Sequence, residues 1–113
     1  MKNIFMVLVA LSIIGCGSNE EAKNGKLNVV TTTSMITDLV KNVGGDMINT
    51  QGLMGAGVDP HLYKASAGDV TKLATADIIF YNGLHLEGKL VEVFEKMGSA
   101  VKSQVALGEH LDK

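Results

Sequence analysis

The sequence has one cysteine, Cys16, so no disulfide can close within a single chain. It has no basic cluster either: ten basic side chains face twelve acidic ones with a formal net charge of −2, which removes the electrostatic footprint of nucleic-acid binding. A glycine-rich phosphate loop and a Gly-x-Ser-x-Gly nucleophile elbow are both missing. Beyond Cys16 no apolar run reaches the roughly 20 residues that a membrane-spanning helix needs. The six methionines form no soft-metal cluster. Met1 and Met6 lie at the extreme N-terminus, and Met35, Met47, Met54 and Met97 fall singly at core-like positions, which argues against copper. These absences argue against catalysis and leave binding as the function class to pursue.

What is present begins with a targeting pattern. Lys2 precedes an apolar run over residues 4–14 interrupted only by Ser12, and Gly15-Cys16-Gly17-Ser18 follows. The run is short for a bilayer span and has the small, polar flank of a secretory signal. Ile13-Ile14-Gly15-Cys16 is similar to a lipobox, which makes residues 1–15 a lipoprotein signal peptide and Cys16 the lipidated first residue of the mature chain. The alternative is an ordinary cleaved signal with an incidental cysteine. Lipid would hold an exported protein at a membrane surface. Residues 16–113 then carry nine basic and twelve acidic side chains, a formal balance of −3. Residues 16–26 lack apolar periodicity and read as a flexible tether, so folding is expected over residues 27–113.

From Leu27 onward short apolar runs alternate with helical patterns. Residues 27–32 suit a strand, with Val29 and Val30 among threonines. Ser34 is placed to cap a helix bearing Met35, Ile36, Leu39, Val40 and Val43 at helical spacing, stopped by Gly44-Gly45. A second strand is expected over 48–54, and Ser66-x-x-Asp69 resembles a capping box for a helix with Val70, Leu73 and Ala74. Residues 77–81 contain the continuous apolar run Ile78-Ile79-Phe80, as in a strand covered on both faces. A helix over 87–97 carries Leu90, Val91, Phe94 and Met97, and residues 101–107 supply a fourth strand. Strands separated by helices imply right-handed crossovers and an α/β fold: a Rossmann-like parallel sheet with helices on both faces.

Ligands of such sheets bind beyond the carboxyl ends of the strands. His61 lies there, after the second strand, and His85 after the third. The only proline, Pro60, fixes its own φ and drives Asp59 toward extended geometry, so the backbone entering His61 has few alternatives. A histidine so held is a candidate metal ligand, although strand-end histidines also serve as hydrogen-bonding residues. Zinc and manganese sites need three or more protein donors.

Four segments now matter together: Gly57-Val58-Asp59-Pro60-His61-Leu62-Tyr63, Ser66-Ala67-Gly68-Asp69-Val70, Ala76-Asp77, and Tyr81-Asn82-Gly83-Leu84-His85-Leu86-Glu87. In this order and spacing, and with the opening Val29-Val30-Thr31-Thr32-Thr33-Ser34-Met35-Ile36, the sequence resembles the solute-binding lipoproteins of zinc and manganese ABC transporters. The resemblance implies one α/β lobe of a two-lobed receptor, whose cleft holds a divalent metal between histidines and carboxylates and passes it to a membrane permease. It makes His61 the first metal ligand. It leaves His85 a second candidate, with a supporting or helix-entry role as the alternative, and reads Glu87 as favouring a helix N-terminus. His110 lies in a polar tail and Asp59 shapes the turn.

A second Asp-Pro-His step, which the resemblance would place later, does not occur, and the remaining ligands would come from beyond Lys113; the chain is thus expected to be a truncated N-terminal lobe. The cargo is zinc or manganese, with ferrous iron also compatible with mixed nitrogen and oxygen donors. No acidic, histidine-rich loop follows His61, which tilts the expectation toward manganese or mixed specificity. A surface lipoprotein acting in adhesion without an intact metal site is the alternative function.

Overall fold

The computed structural model describes residues 25–111. The signal peptide, the lipidation candidate Cys16 and most of the tether fall outside the described residues. Four strands, β1 (Leu27–Thr31), β2 (Ile48–Gly52), β3 (Ile78–Tyr81) and β4 (Gln104–Ala106), form one sheet in the order β2-β1-β3-β4. All three pairings are parallel, with Val29 opposite Ile78, Thr31 opposite Gly52 and Phe80 opposite Val105. Helices α1 (Ser34–Gly44), α2 (Ala67–Thr75) and α3 (Leu90–Met97) make the connections. From β1 the chain steps outward to β2, then crosses back to β3 and β4, so the strand order reverses between β1 and β3.

Side chains alternate across a strand, and the two faces of this sheet are built differently. Val30 and Ile79 point into the main core, where Leu73 of α2, Leu90 and Phe94 of α3, Met54, Ala76 and Val101 close around them. Phe94 meets Tyr81 with ring centroids 5.0 Å apart. Val29, Ile78 and Phe80 point the other way, toward Leu39 and Val40 of α1. Of the apolar positions predicted for α1 only Ile36 is buried. Met35, Leu39 and Val43 stay exposed, because no described element covers the outer side of that helix.

Helix α2 starts where the sequence predicts. Ser66 caps it, accepting from the Asp69 amide while the Asp69 carboxylate accepts from the Ser66 amide. Leu73 is buried on this helix, whereas Val70 and Ala74 face outward. Helix α3 begins at Leu90 rather than at Glu87. Leu84 and His85 have φ of 52° and 63° and Gly88 has φ of 50°, left-handed conformations that an α-helix cannot contain. Strand β4 is shorter than the predicted 101–107, since a 3₁₀ turn at Gly98–Ala100 leads into it and Val101 fills the core before pairing begins. The ladder of β2 continues beyond Gly52, with the Leu53 and Met54 amides donating to the carbonyls of Thr31 and Thr32.

Candidate metal centre

The segment after β2 turns at Gly57, whose φ is 78°, and reaches His61 through the Asp-Pro step. The Asp59 carboxylate folds back over the chain: Oδ1 accepts from the His61 amide at 2.9 Å and lies 3.1 Å from His61 Nδ1. The first bond closes a local turn of the kind short acidic side chains make. The second assigns the proton to Nδ1, because a carboxylate oxygen is an acceptor, and so leaves the Nε2 lone pair free. The two contacts, the amide bond foremost, hold the Asp59 carboxyl below the ordinary aspartate range. The imidazole side chain is 62% exposed, open to whatever faces this end of the sheet.

The loop carrying His61 is fastened on both sides. Tyr63 Oη donates to Asp69 Oδ2 at 2.7 Å and lies 3.2 Å from the Leu53 carbonyl, joining the loop to α2 and to the end of β2. Burial and the bond to Asp69 push the Tyr63 phenol up to about 12. Burial also raises Asp69, but the Tyr63 and Ser66 hydrogen bonds and the Lys72 charge outweigh it and leave the carboxyl below its usual range. On the other side the His61 carbonyl packs against Gly88 so closely that a Cβ there would sit 2.6 Å from the oxygen.

His85 is exposed in the left-handed turn after β3, beside a depression lined by Tyr81, Phe94, Glu95 and Glu109. His110 is exposed at the end of the 3₁₀ turn Leu107–His110. Glu87 does not face solvent at a helix start. It is fully buried, with its carboxylate accepting from Thr32, Asn82 and Gly83. Among the described residues no three His, Cys, Asp or Glu side chains stand close enough to hold a metal ion. The described part therefore offers a prepared imidazole and not a finished coordination sphere. Sequence reasoning assigned Asp59 to the turn but not to the ring, although its two-residue spacing from His61 carried that signal. The burial of Glu87 had no local signal.

A doubly wound parallel sheet with an exposed imidazole oriented by a neighbouring carboxylate defines an α/β lobe of the kind found in two-lobed binding proteins. This one belongs to a known family: residues 29–113 match the periplasmic zinc-uptake complex component A (ZnuA) family, and the chain is a member of it. It is 44% identical over 110 residues to the manganese-binding lipoprotein MntA of Bacillus subtilis (strain 168), covering 96% of this chain and 36% of that protein. It is 58% identical over 81 residues to the zinc-binding protein TroA of Treponema pallidum (strain Nichols), covering 72% of this chain and 26% of TroA. The solved structure of the periplasmic zinc-binding protein TroA from Treponema pallidum superposes with a TM-score of 0.73 at 53% identity, over 78% of this chain and 31% of that one. The chain thus spans about a third of the length of the relatives it matches.

Proposed function

We propose that the chain is the N-terminal lobe of an extracytoplasmic receptor that captures a divalent metal ion, zinc or manganese, for an ABC import system. It performs no chemical turnover; binding and handover to a membrane permease are the function. The observation that carries this reading is the Asp59–His61 pair. A ring whose Nδ1 proton is engaged by a carboxylate presents Nε2 as a metal donor, the arrangement commonly found around ligating histidines. Relatives named as manganese-binding and zinc-binding proteins support the cargo class. Relatives named as lipoproteins support export and anchoring, with Cys16 as the attachment point and the permease as partner.

His61 is the direct ligand and His85 the second candidate; the other donors come from outside the described residues. The test is metal content and affinity of the complete mature protein encoded by the gene, purified without chelator. His61→Ala should lower zinc and manganese affinity by at least tenfold with little change in melting temperature. His85→Ala should lower affinity only if that ring reaches the ion. Unchanged metal content in His61→Ala would sink the reading.

A further inference from the structure

In an open doubly wound sheet the crevice where the strand order reverses is the usual ligand site. Here it lies between the carboxyl ends of β1 and β3, and it is already filled from within. Glu87 Oε1 accepts from Thr32 Oγ1 at 2.9 Å, from Asn82 Nδ2 at 3.0 Å and from the Asn82 amide, and Oε2 accepts from the Gly83 amide at 3.1 Å. Thr32 follows β1, and Asn82 and Gly83 follow β3, so one carboxylate bridges both sides of the switch point. Every partner is a donor, the complement of an acceptor-only group. Two successive amides, one donating to each oxygen of the same carboxylate, form the concave kind of site that takes anions. The turn delivering Glu87 runs through Leu84 and His85, non-glycine residues in left-handed backbone, a conformation that persists only where surrounding contacts enforce it.

We propose that the switch-point crevice is a carboxylate-binding cradle whose ligand is the chain's own Glu87. The internal carboxylate closes the usual site of the fold to outside ligands and ties β1 to β3. External binding is thereby moved out of the crevice to the loops around it, foremost the loop after β2, whose His61 carbonyl rests on the very next residue, Gly88. This goes beyond the metal reading and its test needs no metal.

Glu87→Ala removes the ligand and leaves the donors in place, so a small free carboxylate should enter. The experiment is thermal melting of the complete mature protein, parent and Glu87→Ala, in sodium acetate or sodium chloride at matched ionic strength. Glu87→Ala is expected to melt well below the parent and to be raised saturably by acetate but not by chloride, with the parent unmoved. Equal responses of the two proteins to acetate, or no response of Glu87→Ala, overturns the proposal. If Glu87→Ala folds only when acetate is present, that supports it. If it folds in neither salt, Glu87→Gln decides: it fills the same space but turns an NH₂ toward donors, so it should melt below the parent and ignore acetate, whereas parent-like melting overturns the cradle.

Discussion

Asp59 and His61 stand two residues apart, and that spacing lets one carboxylate oxygen reach both the amide and the ring of the histidine. A ligating imidazole is strengthened by such a partner, and loss of a partner of this kind typically lowers metal affinity by about 10- to 100-fold. Asp59→Asn keeps the shape and an accepting oxygen but removes the charge. We expect it to weaken zinc binding by about tenfold, and Asp59→Ala by more, toward the upper end of that range. Competition titration against a chromophoric chelator checks this, and the melting temperature should stay near the parent's because Asp59 is exposed. Parent-like affinity in both variants would show that Asp59 serves the turn alone. At this scale the sequence made the backbone that leads into His61 legible, since the single proline in a strand-end loop marks a fixed conformation. The burial of Glu87 was not legible, because it depends on Thr32, 55 residues away, whereas the ring contact of Asp59 is local and its two-residue spacing from His61 carried the signal.

The same contrast appears between elements. The start of helix α2 was readable to the residue because a capping box is local: Ser66 and Asp69 satisfy each other's amides with no help from the rest of the chain. Helix α3 was not, since its start is delayed by a left-handed turn that exists to place Glu87 in the crevice. Asp69 also receives Tyr63, so one carboxylate holds both the start of α2 and the loop of His61. Tyr63→Phe should destabilise the protein by about 1.5 to 3 kcal/mol, the worth of a hydrogen bond to a charged group. Asp69→Asn should destabilise it further, because the three bonds to Oδ2 and the neighbouring Lys72 all lose the carboxylate's charge. The pH dependence follows from the sign of the Asp69 shift. Its folded carboxyl lies below the unfolded value of about 3.9. The unfolded state therefore binds more protons there, and the stabilisation is full above about pH 4 and is lost as pH falls through the folded value. Denaturant unfolding of the parent and of Asp69→Asn should thus differ most near neutrality and converge in acid. A gap that stays constant or widens as pH falls would contradict this account.

For the whole molecule the governing fact is that the sheet has two unlike faces. One is sealed by α2 and α3 around Val30 and Ile79, and the other carries Val29, Ile78 and Phe80 under α1 alone. That helix leaves Leu39 56% and Val43 82% exposed, next to Leu27 at 50%, and Met47 in the turn that follows it is 83% exposed. The continuous apolar run Ile78-Ile79-Phe80 and the alternation of strands with helices made the parallel sheet legible in the sequence. The sequence could not tell which apolar helix positions lack a cover, since the amphipathic stripe of α1 reads alike whether or not something packs over it. Contiguous exposed apolar surface of this kind drives association. Residues 25–111 expressed alone should fold on the sealed face, bind a hydrophobic dye, and self-associate at roughly micromolar to millimolar concentration. Val43→Lys together with Met47→Lys should restore the monomer, because charges there break up the exposed apolar surface, and at positions 82% and 83% exposed each should shift stability by only about 0.5 kcal/mol. The same polypeptide should bind zinc only weakly, with a dissociation constant on the order of millimolar, because one exposed imidazole supplies one of the four donors zinc prefers. Sedimentation velocity across a dilution series and zinc titration separate the two claims. A strict monomer that ignores the dye would mean that α1 closes its face unaided, and tight zinc binding by this piece would mean that the donors missing beside His61 are supplied by a rearrangement within residues 25–111.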